Sequence, residues 1–168
     1  MRLDEIIEKI ENVSKSEVKK VVPANSRDLN DMIKQLIPRG PYEKMILGYL
    51  TSLCAEYMYP GTYHLEANDL DYVGFELEKG IIQVETAGDK LGSCMKSGKI
   101  IVKKAGEDAG SSMTDGEIVA DEIQSIGNTI GGKIHANKVH KISKDQGAEI
   151  YIKGKKYGQG ILSKLLGG

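Results

Sequence analysis

Aromatic side chains are scarce in this chain of 168 residues, which has no tryptophan and a single phenylalanine. A fold built on large aromatic core layers is therefore not expected. Cysteine is also rare, because only Cys54 and Cys94 occur and they form no C-x-x-C motif. Two such cysteines favour a cytoplasmic protein with reduced thiols over a disulfide-linked secreted domain.

An excess of either charge is missing as well. The sequence has 23 lysines and arginines and 24 acidic residues, giving a net charge of −1. This balance, without a basic stripe, argues against a nucleic-acid partner. No run of apolar residues approaches the length of a membrane span, and acidic residues interrupt the apolar pattern at the N-terminus, which argues against a signal peptide.

Glycine, by contrast, is abundant, and it recurs with a fixed period. There are 20 glycines, most of them after residue 73. The pattern G-x-x-x-G-x-x-M-x-x-G-x-I begins at Gly88 and again at Gly106, an offset of 18 residues. Five matched positions at one spacing indicate a structural repeat rather than chance.

A short strand follows each copy of the repeat. Alternate strand residues point to one face, so two aligned columns are predicted to be buried. These inward columns are Ile82, Ile100, Ile118, Ile134 and Ile150, and Val84, Val102, Ala120, Ala136 and Ile152. A third inward column, formed by Leu77, Met95 and Met113, is predicted in the glycine-flanked segments.

These patterns predict a mainly β protein, a right-handed parallel β-helix of about seven rungs with short N-terminal helices and a C-terminal cap. The rungs are expected at residues 45–47, 63–65, 82–84, 100–102, 118–120, 134–136 and 150–152. We divide the chain into a helical N-terminal cap (1–40), the β-helix (41–154) and a C-terminal tail (155–168). Helices are expected over residues 3–13 and from Ser26 to just before Pro38. Residues 161–166 are expected to cover the last rung, whose exposed edge would otherwise favour aggregation.

The glycines are expected to mark corners, so Gly98→Val should destabilise the fold strongly. A distorted corner is expected at residues 127–132, where the copy of the repeat is one residue shorter.

The repeat resembles the GXGXG domain family. The similarity lies in Gly92-x-x-Met95-x-x-Gly98-x-Ile100-x-Val102, which recurs from Gly110 as far as Ile118. A weaker match is the segment Arg27-Asp28-Leu29-Asn30-Asp31-Met32-Ile33. It covers roughly residues 26–154. The family includes the C-terminal domain of glutamate synthase large subunits and one of the subunits of formylmethanofuran dehydrogenase. The resemblance implies a scaffold beside catalytic subunits, with no catalytic residue in the repeat itself.

Catalytic, cofactor-binding and metal-binding residues are accordingly not expected. His64 and His135 fall in the same outward column but about four rungs apart, or roughly 19 Å, which is too far to share a metal. His140 could approach His135, but two imidazoles make a poor site. Cys54 and Cys94 lie on different rungs and are not expected to form a disulfide. Ser111 and Ser112 lack the G-x-S-x-G elbow of esterases and fit corner positions better.

An apolar outward column is the most informative functional feature. Ile101, Val119, His135 and Tyr151 should point away from the core, and apolar side chains there need a cover. Two alternatives are open: the chain's own N-terminal helices, or a partner subunit or second copy. The function expected is a non-catalytic scaffold or interaction subunit of an oxidoreductase complex, similar to the β-helix component of glutamate synthase. The alternatives are a component of a formylmethanofuran dehydrogenase, a stand-alone homo-oligomeric binding protein and a small hydrolase.

Overall fold

Seven strands form one sheet, in which the first six are parallel and lie one after another along successive turns. The computed structural model describes residues 1–158, so the predicted cap at residues 161–166 lies outside the described part. The strands are β1 (Thr62–Leu65), β2 (Ile81–Thr86), β3 (Lys99–Ala105), β4 (Glu117–Ile126), β5 (Lys133–Ile142), β6 (Glu149–Ile152) and the antiparallel β7 (Lys155–Lys156). The protein is a mainly β parallel solenoid of about five turns.

The inward columns confirm the prediction from the repeat, except that Ile152 on the last parallel strand is only partly buried. Ile82 is aligned with Ile100, Ile100 with Ile118, and the alignment continues through Ile134 to Ile150. All five isoleucines are at most 2% exposed. Leu77, Met95 and Met113 are completely buried, as the second element of the repeat predicts. Parallel rungs thus stack identical positions and bury one continuous apolar core.

The corners between strands use left-handed backbone. Gly98 has a φ of +83°, and Gly80 and Gly116 at the equivalent corners have +95° and +97°. In each repeat, the segment before this corner also places two non-glycine residues in the left-handed region. They recur every 18 residues, with Tyr72, Lys90 and Asp108 at one position and Glu76, Cys94 and Ser112 at the other. Only glycine adopts this conformation without steric cost, so the sequence marks only some of these positions.

The shortened copy at residues 127–132 is stabilised by side chains. The buried hydroxyl Oγ1 of Thr129 lies 2.6 Å from Oε1 of Gln146 and accepts a hydrogen bond from the backbone N–H of Ala148. The amide group of Gln146 donates to the carbonyls of Gly127 and Ser143, both at 2.8 Å. Side-chain hydrogen bonds therefore supplement the backbone pairing between turns here.

Four helices precede the sheet: α1 (Leu3–Lys9), α2 (Lys15–Val21), α3 (Ser26–Gln35) and α4 (Pro41–Met58). The structure confirms the predicted helices at residues 3–13 and from Ser26, although α1 ends at Lys9. The predicted first rung at residues 45–47 is wrong, because these residues lie inside α4. The helical part therefore continues past residue 40, and the first strand begins at Thr62, so the solenoid has fewer turns than the seven rungs predicted.

Helix α4 packs on the first turn of the solenoid, the end at which β1 has no preceding strand. The Thr51 hydroxyl donates to the carbonyl of Gly48 and accepts from the backbone N–H of Gly74, at 2.7 and 3.0 Å. The Ser52 hydroxyl donates to the carbonyl of Phe75 at 2.7 Å. Both side chains are completely buried. The first turn therefore obtains from α4 the polar partners that a preceding rung would supply.

A tight hairpin ends the described sheet. Strand β6 turns at Lys153 and Gly154, whose φ values are +51° and +79°, and the chain returns as β7 with Tyr151 opposite Lys156. Two successive residues with positive φ are typical of a two-residue hairpin turn. The β7 strand carries exposed lysines, which disfavour edge-to-edge pairing with another sheet.

We expect Gly98→Val to lower the free energy of unfolding by more than about 2 kcal/mol, because a side chain here combines an unfavourable φ with a steric clash. A Cβ atom at Gly98 would lie 2.7 Å from the carbonyl oxygen of Gly80. Gly40→Val is the matched control, since no atom lies within 4 Å of a Cβ there. Urea titration measures both variants, and equal stability would contradict the corner assignment.

We expect Thr51→Val to cost about 1–3 kcal/mol, because it leaves the N–H of Gly74 buried without an acceptor. Thr51→Ser keeps the hydroxyl and should lose clearly less. Both variants are compared by thermal unfolding. A Thr51→Val protein as stable as the serine variant would show that this hydrogen bond does not hold α4 to the solenoid.

Candidate interaction surface

The outward side of strands β2–β6, which we call the sheet face, carries the predicted column of apolar residues. The strand register aligns Gln83, Ile101, Val119, His135 and Tyr151. Ile101 and Val119 are partly exposed, whereas their neighbours Ile100 and Ile118 are fully buried. The structure thus brings together all four residues predicted for this surface.

The sheet face is open at its centre. Helix α4 packs against β1 and β2 at one end of the sheet, while Ile101 and Val119 line an open groove together with His64, Gln83, Lys103 and Asp121. Within residues 1–158, the chain's own helices therefore do not fill the space over the two central apolar side chains. These two adjacent side chains form the apolar part of a candidate contact surface.

Charged residues flank the apolar column on both sides. At the start of the strands, Lys99 and Glu117 form an ion pair of 3.9 Å. On the other side, Lys103 pairs with Glu85 at 3.1 Å, and Asp121 follows on the next strand. The side chains of these two ion pairs are 38–66% exposed, so their mutual attraction adds little to stability. The signs of these charges instead determine which surface of another polypeptide can pack against the sheet face.

The end of the column on β5 and β6 is aromatic. The rings of His135 and Tyr151 stack with centroids 4.8 Å apart and an angle of 8° between them. His135 Nε2 also lies 3.9 Å from a carboxylate oxygen of Glu117. Stacking between adjacent rungs gives this end of the sheet face a flat, rigid surface.

The histidines do not form a metal site in the described structure. His64 and His135 belong to β1 and β5, with three strands between them. His140 lies in β5 together with His135, and its Nε2 lies 2.5 Å from a carboxylate oxygen of Glu122. This hydrogen bond lowers the pKa of Glu122. Residues 1–158 contain no group of three potential ligands from His, Cys, Asp and Glu.

Both cysteines are free thiols. Cys54 is completely buried in α4 and donates a hydrogen bond to the carbonyl of Ser26 at 3.3 Å. Burial raises the pKa of the Cys54 thiol to about 11. A protonated, inaccessible thiol is a poor nucleophile. Cys94 is partly exposed at a corner with a φ of +55°.

The paired serines occupy a corner of the solenoid. The backbone N–H of Ser112 donates to the carbonyl of Asn128, and that of Ser111 donates to the carbonyl of Asp108. Ser112 is exposed and has a φ of +60°. These contacts assign both serines to the turn that joins successive rungs.

A charged cluster that the sequence did not reveal joins α2 to the solenoid. The Lys15 ammonium lies 2.6 Å from Glu56 and donates to the carbonyl of Glu76 at 2.8 Å. The Tyr49 hydroxyl donates to the Glu76 carboxylate at 2.5 Å. Burial and then this hydrogen bond raise the pKa of Tyr49. Every charged group here has a partner, so the cluster is suited to holding helices in place.

Ser14 and Glu17 have the spacing of a capping box, and the Ser14 hydroxyl accepts from the backbone N–H of Glu17. This signal indicates the start of α2 but not the charged cluster.

Comparison with protein-family models, curated proteins and solved structures finds no match to this chain. No helix within residues 1–158 is sufficiently long and apolar to cross a membrane.

Proposed function

We propose that the protein is a non-catalytic scaffold or interaction subunit, and that the sheet face is the surface with which it binds another polypeptide. The observation that carries this proposal is the partly exposed pair Ile101 and Val119 at the centre of an open face. The alternating charges beside this pair would orient the bound polypeptide, and the stacked turns make the sheet face rigid.

In the described part of the chain, the groove on this face lacks a nucleophile with a base beside it, which supports a binding role. Among residues 1–158, those that line the groove include no cysteine or serine, and one histidine, His64. A nucleophilic mechanism needs a nucleophile, a base and an orienting group in contact. The sheet face supplies instead an apolar centre with a charged rim, the arrangement found in protein interfaces.

The proposed assembly includes a catalytic subunit of an oxidoreductase, by analogy with glutamate synthase or formylmethanofuran dehydrogenase. This part of the proposal is supported by the resemblance of the glycine repeat alone. We further propose a right-handed coil, because parallel crossover connections are almost always right-handed. The two free thiols support a cytoplasmic location.

The proposal is tested by purifying the affinity-tagged protein from its source cells and weighing the intact assembly by native mass spectrometry. We expect a stoichiometric complex that includes a subunit with flavin or an iron–sulfur cluster. Recovery of the scaffold without any such subunit would contradict the oxidoreductase part of the proposal.

The role of the sheet face is tested in the same preparation with Ile101→Glu. We expect the assembly to lose at least one component, with a tenfold or greater loss of occupancy for a buried charge. Ile130→Glu is the matched control, because Ile130 is 64% exposed in a corner segment away from the sheet face. If the two variants assemble equally well, the sheet face is not a binding surface.

A further inference from the structure

Three outward columns define the chemistry of the sheet face. The middle column is Gln83, Ile101, Val119, His135 and Tyr151. The first column, two residues earlier on each strand, is Ile81, Lys99, Glu117, Lys133 and Glu149. The third column, two residues later, begins Glu85, Lys103, Asp121 and Asn137. On β3 both flanking residues are lysines, and on β4 both are acids.

This arrangement makes the face complementary to itself in only one of two orientations. If two copies face each other about a two-fold axis that runs along the strands, the order of the rungs is reversed between copies, but each column lies over its own counterpart. With the axis between β3 and β4, Ile101 lies over Val119, Lys99 over Glu117, and Lys103 over Asp121. Apolar residues then meet in the centre, and opposite charges meet on both sides.

The second orientation places like charges together. An axis that runs along the stack keeps each rung over itself and exchanges the first column with the third. Lys99 would then face Lys103, and Glu117 would face Asp121. Opposed like charges across an interface cost several kcal/mol, so this orientation is disfavoured.

The position of the axis is also restricted. An axis centred on β3 would oppose Lys103 with its own copy, and an axis centred on β4 would do the same for Asp121. An axis between β2 and β3 would bring Asp121 over Glu66, which follows β1. The position between β3 and β4 avoids all of these contacts. It also offers Asp121 a cation, which it lacks within residues 1–158, where Lys103 pairs with Glu85.

We propose that the sheet face binds a second copy of this chain, with the strands of the two copies parallel, their stacks antiparallel, and the two-fold axis between β3 and β4. This inference rests on the proposed function in so far as the sheet face is a protein-binding surface, and it names the component that this surface binds. The remaining sides of the solenoid stay available to other subunits.

The size of the face predicts a modest affinity. Five strands about 4.8 Å apart and five residues at about 3.3 Å each give a face of roughly 24 by 17 Å. Such a face buries roughly 400 Å² per copy, which is below the range of stable specific interfaces and in that of weak, transient ones. A dissociation constant on the order of micromolar is therefore expected, so the dimer should form as the concentration rises.

The test is sedimentation equilibrium of the full chain from about 1 to 500 μM, with charge-reversal variants. Lys103→Glu places two carboxylates together at each of the two symmetric contacts, and we expect the dissociation constant to rise about tenfold or more. The double variant Lys103→Glu/Asp121→Lys restores opposite charges and should dimerise nearly as well as the wild type. Lys19→Glu, the same charge change on α2, is the matched control and should have no effect. Circular dichroism verifies that every variant is folded.

The other outcomes overturn the proposal. A wild-type protein that remains monomeric at about 500 μM would refute the proposed dimer. Tighter dimerisation of Lys103→Glu would indicate the orientation in which Lys103 faces Lys99. Dimerisation that neither Lys103→Glu nor the double variant changes would locate the interface elsewhere. A monomeric chain that still forms a complex with an oxidoreductase subunit would refute the second copy as partner while leaving the proposed function intact.

Discussion

A single turn of this solenoid leaves its backbone groups unpaired and its apolar side chains exposed, and both are satisfied only by the next turn. The N–H of Cys94 donates to the carbonyl of Ser111 one turn later, and the same position in the preceding turn, Glu76, donates to Ser93. Isoleucines stack in register with these bonds. Because every turn depends on its neighbours, the ends need different partners, which α4 supplies at one end with Thr51 and Ser52.

The same repetition makes the inward columns readable from sequence and conceals other features. Ile82, Ile100 and Ile118 recur every 18 residues, so the strands and their buried face could be predicted. Helix α4 was missed because every residue from 46 to 55 is buried, which removes the alternation of apolar and polar residues that distinguishes a helix. Lys90 and Cys94 adopt positive φ without being glycine, so tertiary pairing determines their conformation.

The candidate surface could be predicted only in part. Alternation along each strand indicated that Ile101, Val119, His135 and Tyr151 face outward, and the structure places them in one column. The meaning of the charges beside them depends on register, since Lys103 is related to Asp121 only when β3 and β4 are paired. Sequence also could not show that the helices pack at the end of the sheet and leave the apolar centre open.

The central claim is that adjacent residues on one strand have separate roles, with Ile100 maintaining the fold and Ile101 available for binding. Urea unfolding of dilute protein carrying Ile100→Ala or Ile101→Ala tests this claim most directly. Ile100 is 0% exposed, so its truncation should cost about 2–5 kcal/mol. Truncation of Ile101 should cost about 1 kcal/mol or less. Equal losses for the two variants would contradict the division of the sheet into a structural and a binding face.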